Sequence, residues 1–190
     1  MIQFYSLDYK KAWNSIKTTL KNKRFDSLSE VNKETWYIYN AYISFVQLIG
    51  KVELSPREKG ALKQFRLSKF VNEVPVFSRD KQGMNISILI IQVLILLYEE
   101  KYDDLDHKIE ALMKYKKRKL SNISLRTGYF IKIIQCLKRG NYSKTKVIHK
   151  ATPYFEKLEN IELDLSNQGI EFEVIPYPIL WGYVQEILTE

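Results

Sequence analysis

Apolar residues recur at the spacing of an α-helix along almost the whole chain. Tyr9, Trp13 and Ile16, for example, stand four and three residues apart, which places them on one face of a helix. With 7 glycines and 5 prolines in 190 residues, the chain has little material for the many turns that an all-β fold requires. The pattern therefore predicts an all-α protein.

The same periodicity predicts where the individual helices lie. Ser55 and Glu58 form a capping-box pattern, with Pro56 at the first helical position, so a helix is expected to begin there. Residues 170–174 alternate between apolar and acidic side chains, which predicts a short extended segment before a C-terminal helix. The predicted helices cover about 9–20, 30–49, 56–74, 86–98, 102–118, 122–138, 143–159 and 180–188.

The most apolar stretch is ISILIIQVLILLY, residues 86–98. It has 13 residues and contains Gln92, whereas a membrane-spanning helix needs about 20 residues. We therefore interpret it as a buried core helix and expect no membrane partner. The N-terminal residues lack the basic and apolar regions of a signal peptide, and the single cysteine, Cys136, cannot form an internal disulfide. The expected location is cytoplasmic.

An aromatic residue follows a polar stretch and opens a helix at four places in the chain. These residues are Phe25, Phe65, Tyr102 and Tyr142, and the intervals between them are nearly equal. A period of about 40 residues, such as these intervals show, is typical of stacked helical hairpins. We expect a single helical-repeat domain over residues 1–190, either complete or the C-terminal part of a longer architecture.

Two of these turns, 101–105 and 140–143, resemble the inter-helix turn of tetratricopeptide repeats. Residues 69–92, KFVNEVPVFSRDKQGMNISILIIQ, resemble uncharacterised bacterial helical-repeat proteins that carry an N-E-V-P…S-(R/K)-D-K-x-G-x-N segment. The segment IPYPILW, 175–181, is similar to their C-terminal ending. The resemblance implies a right-handed α-solenoid of stacked antiparallel hairpins, closed by a short extended segment and a C-terminal helix. It implies no settled activity.

Charge is distributed unevenly along the chain. Residues 108–150 contain 13 lysines and arginines and one acidic residue, Glu110, whereas residues 151–190 contain eight acidic residues and one lysine. Three interpretations of the basic segment remain open: a solvated or internally paired surface, a surface for an acidic protein partner, and a nucleic-acid interface.

The densest part of the basic segment is the run Lys114 to Lys119. Successive residues of a helix are about 100° apart, so this run surrounds the helix instead of forming one face. Cations in a last turn also complement the helix dipole, which explains them without a ligand. The candidate binding cations fall off the apolar stripes and are expected at the surface: Lys114, Lys117, Arg118, Arg126 and Lys132.

The stretch NEVPVFSRDKQGMN, residues 72–85, offers a further candidate. Arg79 and Lys81 could belong to a polar binding loop on a rigid scaffold. In the structural alternative, Pro75 ends one helix and Asp80 or Ser78 caps the next, so the stretch is a connection between hairpins. We favour the connection.

Motifs of catalysis and metal binding are missing from the sequence. It contains no glycine-rich phosphate loop, no G-x-S-x-G and no C-x-x-C. Asp103 and His107 share a helix face, but the only other histidine is His149. Cys136 stands among apolar residues and is expected to be a core residue. We therefore expect no catalytic residue, no metal and no cofactor. The expected function is a non-enzymatic protein- or peptide-interaction module; the alternative is a basic nucleic-acid-binding protein that uses residues 108–150.

Overall fold

The computed structural model describes residues 2–58, 84–118, 123–163 and 173–190. Within these ranges the chain is helical and contains no strand, which confirms the all-α prediction. The chain divides into two compact units, Met1–Arg79 and Asp80–Glu190. Repeat domains can contain several such units, so the single-domain expectation stays a prediction. The predicted helix beyond residue 58, the loop cations Arg79 and Lys81, and most of the predicted extended segment lie outside the described residues.

Among its described residues, the N-terminal unit contains three α-helices and a 3₁₀ turn, followed by the first residues of a further helix at 56–58. Asp8 caps the second helix by accepting a hydrogen bond from the backbone N–H of Lys11 at 3.1 Å. Trp13 and Ile16, from the predicted stripe, are buried, and the third helix is buried without interruption from Ile38 to Val46. The elements are α1 (Ile2–Tyr5), α2 (Tyr9–Leu20), the 3₁₀ turn (Phe25–Ser27) and α3 (Glu30–Leu48).

The capping box predicted after α3 is formed. The Glu58 carboxylate accepts hydrogen bonds from the Ser55 N–H at 2.8 Å and the Ser55 hydroxyl at 2.7 Å, and residues 56–58 are helical. Lys10 of α2 forms an ion pair with the same carboxylate at 2.8 Å. The hydrogen bonds from Lys10 and then Ser55 lower the pKa of Glu58 to about 2. The start of the next helix is therefore attached to α2.

The C-terminal unit contains five helices among its described residues. They are α4 (Met84–Tyr98), α5 (Tyr102–Arg118), α6 (Leu125–Arg139), α7 (Lys144–Glu159) and α8 (Tyr177–Ile187). α4 packs on α5, α5 on α6 and α6 on α7, while α8 contacts α4, α6 and α7. α4 is buried almost all round, as predicted, with Ile90, Val93 and Leu94 fully inaccessible. Among the described residues, no helix is long and apolar enough to cross a membrane.

α4 and α6 end in the same kind of cap, although the turns that follow differ, because Tyr142 after Asn141 also has a positive φ, of 60°, without a counterpart after Glu100. Glu100 and Asn141 each have a φ angle of 54°, and the residue after each donates its N–H to a carbonyl five residues back, at 3.0 Å in both turns. This is the Schellman arrangement, in which a left-handed residue ends a helix. The rings of Tyr102 and Tyr142 stack at 4.5 Å, so the two turns lie side by side.

A buried ion pair joins α6 to the residues that precede α8. Arg126 donates from Nε to Glu173 Oε2 at 3.1 Å and from Nη2 to Oε1 at 3.0 Å. Its Nη1 donates to the carbonyl of Leu158, in the last turn of α7, at 3.4 Å and to that of Ile161, just after α7. Glu173 also accepts from the Tyr177 N–H at 2.6 Å, where α8 begins. One guanidinium therefore holds three chain segments together.

This pair corrects the expected position of Arg126. The sequence pattern puts Arg126 among the surface cations, yet its side chain is 10% exposed and that of Glu173 is 8% exposed. Next to it, the Thr127 and Tyr177 hydroxyls lie 3.0 Å apart, and Phe130 stacks on Tyr177 at 4.3 Å. For Arg126, internal pairing between the basic and the acidic segment is the interpretation that the structure bears out.

The ion pair leads to a prediction about stability. Arg126→Met leaves the Glu173 carboxylate buried without its partner, so we expect the free energy of unfolding to fall by about 3–5 kcal/mol. The double variant Arg126→Met/Glu173→Met should lose less than the sum of the two single variants, because it leaves no uncompensated charge. Urea unfolding measures both. An Arg126→Met variant as stable as the exposed control Lys117→Met would contradict this role.

The close approach of α6 and α7 leads to a second prediction. A Cβ atom at Gly140 would lie 2.8 Å from the backbone nitrogen of Val147 and 2.9 Å from its Cα, so the two helices would have to separate. Gly140→Ala should therefore lower stability by about 1–3 kcal/mol. A Cβ at Gly182, in the interior of α8, meets nothing within 4 Å. Gly182→Ala is the matched control and should be neutral or stabilising. Equal melting temperatures of the two variants would refute the close contact.

Candidate functional site

The structure does not gather the predicted binding cations into one surface. Lys114 and Lys117 are exposed on α5, and Lys132 is half-buried on α6. Arg126 is buried, as described above. The side chain of Arg118 lies outside the described residues, as do Arg79 and Lys81. The candidate site must therefore be built from Lys132 and its neighbours.

Lys132 lies between two tyrosine rings. Its ammonium group is 5.2 Å from the ring centroid of Tyr129, one turn earlier on α6, and 5.4 Å from that of Tyr154 on α7. At these distances the faces of the rings attract the cation. No carboxylate of the described residues forms an ion pair with Lys132. The rings hold the ammonium in place but do not neutralise its charge.

Lys116 adds a second cation from α5. Its ammonium group donates a hydrogen bond to the Gly128 carbonyl at 2.9 Å, which joins the end of α5 to the start of α6. Burial, and then the charge of Lys132, lower the pKa of Lys116. The charge of Lys132 is the smaller of these two causes, and the two ammonium groups repel each other.

Lys138, in contrast, is paired with carboxylates of α5. Lys138 forms ion pairs with Asp106 at 3.1 Å and Glu110 at 2.9 Å, and these contacts raise its pKa. Burial of Asp106 opposes ionisation, but hydrogen bonds from Tyr142 and Lys138 leave the pKa of Asp106 lowered. Carboxylates in the N-terminal half of α5 therefore bind Lys138 and hold α5 against α6. This pairing distinguishes Lys138 from Lys132, which lies nearly two turns earlier on α6.

α6 and α7 run antiparallel, in a register that three contacts define. Gly140 meets Val147 near the turn, the Cys136 thiol donates to the Lys150 carbonyl at 3.4 Å, and Lys132 meets Tyr154. The side of α7 that carries Tyr154 therefore lies beside Lys132. Four residues of α7 lie on this side, within an arc of about 80° around the helix axis: Lys146, Lys150, Tyr154 and Lys157.

We call these four residues the α7 stripe. Its three lysines are exposed, Tyr154 is half-buried, and none of the lysines forms an ion pair with a described carboxylate. The sequence prediction does not include the stripe, because it rests on the density of charge at 114–119 and not on the spacing of residues along α7. The four-residue spacing of Lys146, Lys150 and Tyr154 was the signal that could have revealed it.

The first half of α7 carries cations that helix electrostatics disfavours. The first turn of α7 contains no acidic residue and includes Lys144 and Lys146, and Ser143 forms no side-chain capping bond. α5, in contrast, begins with Asp103 and Asp104, which complement the helix dipole. Cations at a helix start each cost about 0.3–1 kcal/mol when exposed. At this helix start the Thr145 hydroxyl donates to the Glu190 carboxylate at 3.4 Å, and the Lys144 N–H donates to the Thr189 carbonyl at 3.1 Å. A carboxylate of the chain itself therefore offsets part of this cost.

Cys136 is part of the α6–α7 contact. It is 1% exposed, as expected for a core residue, and its thiol donates to the carbonyls of Lys132 at 3.2 Å and Lys150 at 3.4 Å. Burial raises the pKa of this thiol. Among the described residues, no group of three or more histidine, cysteine, aspartate or glutamate side chains could hold a metal ion.

No protein-family model, curated protein or solved structure matches this chain. The resemblance to tetratricopeptide repeats and to bacterial helical-repeat proteins therefore stays a prediction. The function has to be inferred from the side chains of the C-terminal unit and from their charges.

The position of Cys136 leads to a prediction about reactivity. Because the thiol is buried and its pKa is raised, a thiol reagent should modify the folded protein slowly, at a rate limited by opening of the α6–α7 contact. Modification should become fast in denaturant. A Cys136→Ser variant is the control for labelling at other sites. Rapid modification of the native protein near neutral pH would contradict this packing.

Proposed function

We propose that this protein is a non-enzymatic interaction module on a helical-repeat scaffold and that it binds an acidic segment of a partner protein. The observation that carries the proposal is Lys132, which is held between Tyr129 and Tyr154 without a described carboxylate partner. Tyrosines are enriched in protein interfaces, and a positioned cation favours acidic partners. The buried single cysteine is compatible with the cytoplasm, where thiols remain reduced.

The hairpins of the C-terminal unit support the scaffold part of the proposal. α4 and α6 both end in a Schellman cap whose left-handed residue has a φ of 54°. Helical-repeat proteins stack such hairpins and bind partners on the extended surface that results. A right-handed solenoid like that of tetratricopeptide repeats is the arrangement we propose.

Nucleic acid is the second candidate partner. Tyr129 and Tyr154 beside Lys132 favour it, because aromatic rings stack on bases while cations bind phosphates. Acidic residues at the ends of the surrounding helices weigh against it: Asp103 and Asp104 start α5, and Glu156 and Glu159 end α7. Such a mixed surface repels a continuous polyanion more than a short acidic segment.

A binding titration distinguishes the two candidates. A labelled glutamate-rich peptide and a single-stranded oligonucleotide of equal charge are titrated with the full chain at low and at physiological salt. We expect the peptide to retain affinity at physiological salt and the oligonucleotide to lose most of it, because the fall in nucleic-acid affinity steepens with each phosphate contact.

Variants test where the peptide binds. Lys132→Ala and Tyr154→Ala should each weaken peptide binding at least about fivefold, since anchor side chains cost more than ~1 kcal/mol when truncated. Lys114→Ala, an exposed cation on α5, is the control and should have little effect. Tight oligonucleotide binding at physiological salt, lost in Lys132→Ala, would favour the second candidate. Failure of both ligands to bind would refute the proposed function.

A further inference from the structure

The α7 stripe has a regular spacing. Its residues stand four, four and three positions apart, and a helix rises about 1.5 Å per residue. Lys146 and Lys150 are therefore about 6 Å apart along the axis, and the stripe extends over roughly 16 Å up to Lys157. Tyr154 interrupts the lysines with an aromatic ring next to Lys132.

The charges of the stripe are available to a partner. Lys146, Lys150 and Lys157 are exposed and form no ion pair with a described carboxylate, whereas Lys138 and Arg126 of the same unit are paired. The helix dipole disfavours cations where α7 begins, and the Glu190 carboxylate at this start accepts from the Thr145 hydroxyl and forms no ion pair with Lys146. An acidic partner on this face would supply the missing carboxylates.

The backbone of the stripe restricts the conformation of that partner. Extended peptides gain affinity and orientation by adding main-chain hydrogen bonds to an exposed strand edge. The described residues of this unit contain no strand, and α7 is helical from Lys144 to Glu159, although Pro153 inside it has no N–H to donate. An extended segment would find no such edge there. A helical segment satisfies its own backbone groups and needs only side-chain contacts.

We infer that the partner segment is an acidic α-helix that lies along α7. This inference rests on the proposed function. Carboxylates four residues apart on such a helix recur at the same spacing of about 6 Å as Lys146 and Lys150. An apolar side chain one further turn along packs on Tyr154, and a third carboxylate three residues later contacts Lys157. The recognised face is therefore Glu, Glu, Leu, Glu at spacings of four, four and three, in either chain direction.

Two synthetic peptides of identical composition test this arrangement. Both are alanine-rich, contain three glutamates and one leucine, and are checked for equal helicity by circular dichroism. One carries the four residues at spacings of four, four and three on a single face, and the other distributes them around the helix. The single-face peptide should bind the full chain about tenfold more tightly, because three aligned ion pairs add up while the net charge is unchanged.

Charge reversal on α7 gives the second readout. Lys146→Glu/Lys150→Glu should weaken binding of the single-face peptide about tenfold or more, and a peptide with lysines replacing its glutamates should bind this variant instead. Glutamates at a helix start complement the dipole, so the melting temperature should be unchanged or higher. Lys114→Glu/Lys117→Glu on α5 changes the net charge equally and should alter affinity less than about threefold.

The outcomes separate this inference from the proposed function. The two alanine-rich peptides could bind with equal affinity while Lys132→Ala still weakens binding of the glutamate-rich peptide. That result would overturn the inference of a partner helix along α7 and would leave the proposed function standing. A Lys146→Glu/Lys150→Glu variant that binds the single-face peptide as tightly as the wild type would also overturn the inference. If the glutamate-rich peptide and both alanine-rich peptides all fail to bind, the proposed function fails as well.

Discussion

The C-terminal unit depends on the buried ion pair between Arg126 and Glu173. The pair fixes α6 against the end of α7 and against the residues that open α8, because one guanidinium donates to a carboxylate and to two carbonyls. A lysine could not replace Arg126, since its ammonium lacks the planar fork that reaches both carboxylate oxygens. Charge burial is unfavourable in itself, and it persists here because both partners are hydrogen-bonded. Packing of Tyr177 on Phe130 then follows from the same geometry.

This arrangement divides the cations of the unit into two groups. Arg126 and Lys138 meet carboxylates and hold helices together. Lys132 and the lysines of the α7 stripe meet none of the described carboxylates, and the helix dipole opposes those that begin α7. The second group forms no ion pair that joins the described helices, which is why we propose that it binds a partner. For the proposed binding surface, whether a cation is paired matters more than the total charge of the basic segment.

Much of the fold was predictable from the sequence. The predicted range 102–118 coincides with α5, and 143–159 differs from α7 by one residue, because helical periodicity and caps are local signals. The burial of Arg126 was not predictable, since its partner lies 47 residues away and nothing near Arg126 indicates it. Lys132 was among the predicted cations, but its tyrosine neighbours could not be predicted without the register of α6 and α7. The α7 stripe could have been read from its spacing, yet its lack of ion pairs is a property of the tertiary structure.

The most direct test of this account is a map of the backbone amide chemical shifts of the full chain, recorded by NMR with and without an acidic helical peptide. The account predicts that the largest changes fall on α7 between Lys146 and Lys157 and on α6 from Tyr129 to Lys132. Changes confined to the acidic start of α5 or to the Met1–Arg79 unit, with α7 unaffected, would contradict it.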